Sequence, residues 1–99
     1  MIVTINTAKM AQGKASEVVD LWSKFVKHRN KRFPDVERTL LRPLCGELDE
    51  IVLVSKHASL SSFEAVIKDE KEDSEGQDLR KRSRPHESQR TRKFYRVVE

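Results

Sequence analysis

The sequence contains few of the residues that build disulfide frameworks, phosphate-binding loops or membrane spans. Its one cysteine, Cys45, cannot form an internal disulfide. Three glycines are too few for a glycine-rich loop around a phosphate. No apolar run approaches the roughly 20 residues that span a bilayer, and Met1 leads directly into a strand-like segment instead of a basic region and a long apolar stretch. These absences predict a cytoplasmic chain with no membrane partner.

The charge balance argues against nucleic acid as the partner. Twenty basic and 16 acidic residues among 99 give a net charge of +4, which is too small an excess to identify a nucleic-acid-binding protein. The basic run at 80–84 follows an acidic stretch at 69–78 and has no interleaved aromatic residues that could stack on bases. Apolar residues make up only 36% of the chain. We therefore expect a single domain over residues 1–99 with a thin core.

Hydrophobic periodicity predicts alternating strands and helices. Short runs of β-branched residues indicate strands, and apolar residues three and four apart indicate helices. The predicted elements are a strand at 2–7, a helix at 14–33, strands at 36–45 and 50–57 joined by a hairpin at 46–49, a helix that begins at 59–62, a helical piece at 74–84 and a strand at 88–98. This order predicts an α+β fold, a ferredoxin-like βαββαβ sandwich with four antiparallel strands and the helices on one face.

Capping patterns and a charged run mark the predicted boundaries of the later helices. Ser61 and Glu64 fit a capping box at the start of the second helix, and Ser74 and Gln77 fit another. Between them, residues 68–73 are charged on every face. That segment is predicted to be either a solvated helix end or a mobile loop.

The strand at 50–57 predicts a second layer beyond the single chain. Its residues Ile51, Val52, Leu53 and Val54 are apolar without alternation, which indicates a central strand that is covered on both faces. Helices cover only one face of the predicted sheet. We therefore expect a second copy of the chain to cover the other face, forming a homodimer.

Nearly the whole chain carries features that are similar to a known family. They are the Trp-bearing first helix, the Gly46-Glu47 hairpin, the passage at 55–64 into the second helix and the closing segment at 92–98. On these features the chain resembles the dimeric α/β-barrel superfamily, and within it the small proteins related to antibiotic biosynthesis monooxygenases. The resemblance implies a dimeric α/β barrel. That family includes quinone-forming monooxygenases without metal or flavin, haem-degrading enzymes, isomerases and members with no known activity.

The resemblance also implies candidate site residues. Cofactor-independent relatives use Asn, Trp and Tyr in a pocket between sheet and helices, and this chain has Asn6, Trp22 and Tyr95. Haem-degrading relatives need a Trp and a His on the second helix, where this chain has Val66 and Ile67 and no His. The implied function is thus a small-molecule-binding protein, in one reading a monooxygenase-like enzyme that acts on a phenolic or quinol compound without a cofactor. The alternative is a non-catalytic ligand-binding or assembly module of the same fold.

Histidine and cysteine supply further candidates. His57 ends the third strand, where it could act as a base at a pocket mouth; the alternative is a half-exposed strand end. His28 is expected to be solvated on the polar side of its helix, and Cys45 to be a buried strand thiol. The three histidines and the single cysteine share no metal-ligand spacing, so no metal site is expected.

Arginines within predicted strands are the last candidates, because charged residues are disfavoured there. One interpretation is a cavity that binds an anionic group through guanidinium. The other is a set of edge and interface arginines paired to Glu37 or Glu87. In the first case Arg38 binds the anion and Trp22 packs against the apolar part of the substrate, while Asn6 or Tyr95 donates to a phenolic oxygen. The arginines are Arg38, Arg42, Arg90, Arg92 and Arg96.

Overall fold

The computed structural model describes residues 1–46 and 48–98. Its elements are β1 (Ile2–Met10), α1 (Ala15–Arg32), β2 (Glu37–Leu41), β3 (Glu50–His57), α2 (Leu60–Glu72), α3 (Ser74–Ser83), a 3₁₀ turn (Arg84–His86) and β4 (Glu87–Arg96). Within these ranges the strands form one antiparallel sheet in the order β2-β3-β1-β4. The predicted α+β, ferredoxin-like arrangement is confirmed. None of the described helices has the length and apolar character needed to cross a membrane.

The sheet has a buried face under the helices and a second face that the described chain leaves open. β3 lies in the interior of the sheet, as its apolar run predicted. Its side chains alternate between burial under the helices and partial burial on the other face, and β1 follows the same alternation in its central part. The buried, helix-side residues are Ile2, Thr4 and Ala8 of β1 and Ile51, Leu53, Ser55 and His57 of β3.

The helix-side face is apolar at one end and polar at the other. Ala8, Met10 and Ile51 form the core together with Val18 of α1, which is fully buried. Further along the same two strands, beyond Leu53, the buried residues include the polar Thr4, Ser55 and His57, with Ile2 opposite His57. Polar side chains cannot fill a dry core as apolar ones do. The polar end of the sheet is therefore where the fold has a candidate site.

The N-cap of the second helix lies two residues before the predicted cap. Ser59 is the N-cap, and its hydroxyl oxygen accepts a hydrogen bond from the backbone N–H of Ser62 at 3.1 Å. The predicted capping box of Ser61 and Glu64 is wrong, since both residues lie inside the first turns of α2. Three serines compete for this position, and local sequence alone does not rank them.

The charged run at 68–73 is the end of a helix, solvated at Lys68, Lys71 and Glu72 but not at Asp73. α2 continues to Glu72, and Asp73 is only 3% exposed. The Asp73 carboxylate caps α3 by accepting the Gly76 N–H at 3.1 Å, so the predicted cap Ser74 is instead the first residue of the helix. The Gln77 side chain does not reach back to Ser74, because it donates to backbone carbonyls at the end of α2.

The connection from β2 to β3 is longer than the predicted hairpin. β2 ends at Leu41, so residues 42–49 form the connection, of which Glu47 lies outside the described residues. Cys45 is exposed in this segment, and the expectation of a buried strand thiol is wrong. Pro43 explains the early end of β2, because it has no N–H to donate to the neighbouring strand.

Candidate functional site

A cavity of about 330 Å³ lies between the polar end of the sheet and the helices. That volume falls within the range of small-molecule sites, roughly 300–1,000 Å³. α1 contributes mainly apolar side chains, and the strands contribute mainly polar ones. The residues that define its character are Asn6, Leu53 and His57 from the central strands, Arg38 from β2, Leu21, Trp22 and Phe25 from α1, Glu70 from α2, and Leu79 and Arg80 from α3.

The structure brings four of the five sequence-predicted site residues to this cavity. Asn6, Trp22, Arg38 and His57 line it. Tyr95 does not, because it pairs with Val3 on the opposite face of the sheet and is 47% exposed. The expectation that Tyr95 shares one pocket with Asn6 and Trp22 is therefore wrong within a single chain.

Asn6 presents an uncommitted amide to the cavity. It lies on the helix side of β1, opposite Leu53 of β3. Among the described residues its side chain has no hydrogen-bond partner. An amide carries both donors and an acceptor, so Asn6 can hydrogen-bond an oxygen of a bound molecule.

His57 is a buried, neutral imidazole at the cavity wall. It is 3% exposed, which rules out the half-exposed strand end considered as the alternative. Its Nε2 lies 3.5 Å from the Thr4 hydroxyl oxygen, and the Phe63 ring packs edge-on against it at 5.3 Å. The buried Nδ1 has no hydrogen-bond partner among the described residues. Burial, and next the charge of Arg38, lower the pKa of His57, so the ring is uncharged at neutral pH and can accept a proton.

Arg38 is positioned without being neutralised. Its Nη1 donates to the side-chain oxygen of Asn30 at 2.9 Å and to the carbonyl of Phe33 at 3.3 Å, and both acceptors are uncharged. No carboxylate of the described residues forms a salt bridge with it. Burial, and next the charge of Arg29, lower the pKa of Arg38 to about 10, which keeps it cationic at neutral pH. The pairing of strand arginines with Glu37 or Glu87 is not found among the described residues.

Glu87 fixes the orientation of Trp22 instead of binding an arginine. The indole Nε1 donates to a Glu87 carboxylate oxygen at 2.8 Å and to the Ser83 hydroxyl at 3.2 Å, and that hydroxyl also donates to Glu87. These bonds join α1, α3 and β4 at one edge of the cavity. Because its N–H is engaged, Trp22 offers a ligand only its ring surface.

Arg80 and Arg84 are cavity residues that sequence reasoning missed. Both line the cavity one helical turn apart, and neither forms a hydrogen bond or salt bridge through its side chain with a described residue. The Arg80 guanidinium lies 5.8 Å from the centre of the Phe25 ring. Burial lowers the pKa of Arg80, Glu70 opposes this, and the charges of Arg92 and Arg84 add to the lowering. In the sequence the only trace of these residues is the basic run at 80–84.

Two further cavity cations, Arg29 and Arg92, are neutralised by acidic residues of the run at 69–73. Arg92 donates to both carboxylate oxygens of Glu70, at 3.0 and 3.1 Å. The buried Arg29 donates to Asp69 at 2.6 Å and to Asp73 at 2.9 Å. The charges that looked solvated in the sequence are thus partners of arginines on α1 and β4.

His28 joins the same buried network. Its Nε2 lies 2.6 Å from an Asp73 carboxylate oxygen, and its side chain is only 14% exposed. The expectation of a solvated His28 is wrong. Burial raises the pKa of Asp73, but hydrogen bonds from His28, the Gly76 N–H and Arg29 together outweigh it, and the pKa lies below its ordinary value.

In the described part of the chain, no three His, Cys, Asp or Glu side chains are grouped to hold a metal ion. Among the described residues, the cavity side chains with polar groups left unpartnered include guanidinium and amide donors and one neutral imidazole. This arrangement can bind an oxygen anion and accept a proton.

Solved structures of other proteins superimpose on nearly the whole chain. An uncharacterised NIPSNAP domain protein from Burkholderia xenovorans superimposes with a TM-score of 0.81 at 16% identity, covering 99% of this chain and 95% of the other. An antibiotic biosynthesis monooxygenase gives 0.77 at 12% identity with 100% of both chains covered. SnoaB, a cofactor-independent oxygenase from Streptomyces nogalater, gives 0.73 at 13% identity with 99% and 94% covered. No protein-family model and no curated protein sequence matches the chain.

These matches confirm the predicted resemblance at the level of fold. The chain has the ferredoxin-like α+β fold shared by NIPSNAP and antibiotic biosynthesis monooxygenase proteins. At such low identities the likeness carries the fold and not the chemistry. The chemistry must be argued from the cavity.

Proposed function

We propose that the chain binds, in this cavity, a small and largely apolar or aromatic molecule that carries an oxygen anion. The observation that carries the proposal is Arg38. Its Nη1 is held by two neutral oxygens, while Nη2 and Nε have no acceptor among the described residues. A guanidinium that is oriented, partly desolvated and unpaired favours a carboxylate or phenolate, which it can bind through parallel hydrogen bonds.

The remaining lining supports an aromatic framework for the ligand. Trp22, Phe25 and Leu21 present apolar surface from α1, and Leu53 presents it from β3. Small-molecule sites are mostly apolar with a few placed polar groups. The amide of Asn6 supplies a further donor for the ligand's oxygen.

Titration calorimetry with 2-naphthoate and 2-naphthamide tests this proposal, because the two differ in charge but hardly in shape. We expect the acid to bind at least about tenfold more tightly, the value of one charge-assisted hydrogen bond. Arg38→Gln should remove that preference. Arg42→Gln is the matched control, since Arg42 donates to the Leu48 carbonyl away from the cavity. Equal binding of acid and amide, or an unchanged preference in Arg38→Gln, would refute the proposal.

We further propose that the bound molecule is a phenol or quinol and that the protein oxidises it without a cofactor. SnoaB, a cofactor-independent oxygenase, shares the fold, and this likeness supports the proposal. His57 would take the phenol proton, and Arg38 and Asn6 would stabilise the phenolate. The phenolate gives an electron to O₂, oxygen adds at the para carbon, and loss of water leaves a quinone. One phenol and one O₂ thus yield one quinone and one water.

An oxygen electrode with 1-naphthol distinguishes this reaction from simple binding. We expect one O₂ consumed per 1,4-naphthoquinone formed. Loss of a donor to the developing oxyanion costs about 2–4 kcal/mol in the transition state, so Asn6→Ala should slow uptake by about a hundredfold. His57→Gln should reduce the rate most below the pKa of the phenol. Binding of 2-naphthoate without oxygen uptake would instead support the non-catalytic ligand-binding module.

We also propose that residues 1–99 form one domain that pairs with a second copy in a cytoplasmic homodimer, closing a dimeric α/β barrel. The open sheet face supports this, because Val3, Ile5, Val52 and Val54 are only half-buried there and Tyr95 is 47% exposed. Light scattering at micromolar concentration should give twice 11.5 kDa. Val54→Asp should give the monomer mass, and a stable monomer in the parent protein would contradict the proposal.

A further inference from the structure

The cavity contains a second cationic region at a distance from Arg38. Arg80 and Arg84 lie one helical turn apart on α3 and the following 3₁₀ turn, and neither has an acidic partner among the described residues. Like charges at this spacing repel each other and destabilise a helix. A bound anion between them would remove that repulsion.

The two cationic regions lie toward opposite edges of the sheet. Arg38 is on the edge strand β2, whereas the electrostatic neighbours of Arg80 include Arg92 and Glu87 on the other edge strand, β4. Three strand spacings separate β2 from β4, which is about 14 Å between their backbones. This separation favours two acidic groups, one for each region, over a single small anion.

Glu70 lies electrostatically between the two regions. Its negative charge raises the pKa of both Arg38 and Arg80, while its carboxylate oxygens accept hydrogen bonds from Arg92. The carboxylate neutralises Arg92 and disfavours an anion in the middle of the cavity. Arg38, Arg80 and Arg84 are thus left without a salt bridge to a carboxylate among the described residues.

The second region also opens to an outer groove. Arg80 and Arg84 line both the cavity and this groove, together with Phe25, Ile67, Glu70 and Arg92. A ligand group at Arg80 can therefore reach solvent while the rest of the molecule lies inside the cavity. This geometry accommodates a ligand longer than one ring.

We propose that Arg80 and Arg84 form a second anion subsite and that the ligand is an elongated aromatic molecule with an acidic group at each end. One acidic group binds at Arg38 beside His57, and the other binds at Arg80 and Arg84. The aromatic middle lies against Trp22 and Phe25. The inference rests on the proposed binding function and names the class of its ligand.

Titration calorimetry with naphthalene-2,6-dicarboxylate and 2-naphthoate tests the second subsite. We expect the parent protein to bind the diacid at least about tenfold more tightly than the monoacid. The double variant Arg80→Gln with Arg84→Gln should bind both compounds equally, and its affinity for 2-naphthoate should match that of the parent. Arg38→Gln should weaken both compounds.

Arg82→Gln is the control for loss of a single positive charge from α3, because Arg82 is paired with Asp78 outside the cavity. If the double variant is unstable, Arg84→Gln alone can replace it, because Arg84 is exposed. This single variant should still lower the ratio of the affinity for the diacid to the affinity for the monoacid. If the diacid binds no more tightly than the monoacid, the second subsite is overturned while the preference for 2-naphthoate over 2-naphthamide still supports the proposed function. If neither acid is preferred over the amide, both proposals fail.

Discussion

Replacing Arg29 with alanine should destabilise this protein more than removing any exposed charge. Arg29 is 1% exposed, and its guanidinium donates to Asp69, to Asp73 and to the carbonyl of Val66. Its removal leaves Asp73, itself 3% exposed, as a buried carboxylate with a hydrogen bond from His28 and a longer ion pair to Arg32 at 3.9 Å. A charge that has lost its partner in the interior is far more costly than a broken surface pair.

The expected loss is about 3–5 kcal/mol of unfolding free energy. Domains of this size are stable by only about 5–15 kcal/mol, and each kcal/mol moves the melting temperature by roughly 4–8 °C. Arg29→Ala should therefore melt at least about 12 °C below the parent. Arg32→Ala is the matched control, because Arg32 also bonds Asp69 but is 40% exposed. It should destabilise the protein far less than Arg29→Ala, because an exposed ion pair contributes little to stability.

Urea unfolding followed by the fluorescence of Trp22, the one tryptophan, measures these losses. All variants should be compared at one protein concentration, since association would add to apparent stability. Arg29→Met combined with Asp73→Asn removes both charges and keeps a good helix cap, so it should recover most of the loss. A cost below about 1 kcal/mol for Arg29→Ala, or a double variant no more stable than the single one, would refute the reasoning.

Three further predictions concern single side chains. Ser59→Ala should cost about 1 kcal/mol in urea unfolding because it removes the cap of α2, whereas Ser61→Ala should change stability by only a few tenths. Glu87→Ala should cost about 1.5–3 kcal/mol, because Trp22 loses a charged acceptor; a smaller loss would mean that water replaces it. Because the folded-state pKa of His57 lies below the ordinary 6.5, the unfolded chain binds more protons near and below that pH. Stability should fall as the pH drops below about 6.5, and His57→Gln should flatten that slope.

The parts of the fold that the sequence predicted well are those with strong hydrophobic periodicity. α1 and β3 match their predicted ranges closely, because an apolar stripe and an uninterrupted apolar run admit few alternatives. The predicted ends of the helices were wrong where polar residues determine them. Neighbouring serines compete to cap α2, and the true cap of α3, Asp73, is chosen by its buried contacts. Local patterns contain no information about those contacts.

The site was predicted in part for a similar reason. Arg38 and His57 were identifiable because a charged or titratable residue in a strand is unusual. The sequence did not show which face of the sheet Tyr95 lies on. β4 is polar on both faces, so it has no apolar–polar alternation that would assign its residues to one face or the other. Arg80 required the tertiary structure, since in sequence it is one of five consecutive polar residues.

The division of the acidic run among the arginines determines the ligand chemistry. Asp69 and Asp73 are used by Arg29 and Arg32 to join α1 to α2 and α3. Glu70 is used by Arg92. The three acidic groups of α2 and its C-cap that face inward are therefore already paired, and none remains for Arg38, Arg80 or Arg84.

A neutral ligand would displace water from those remaining guanidinium groups without replacing its hydrogen bonds, which is unfavourable. An acid replaces both the hydrogen bonds and the missing countercharge. The quantity that the structure determines most directly is thus the ratio of affinities for an acid and its amide, more than the affinity of either compound. Because Arg38 and Arg80 are partly shielded from solvent, this ratio should fall only slightly between low and physiological salt, whereas a preference arising from surface charge would be largely screened.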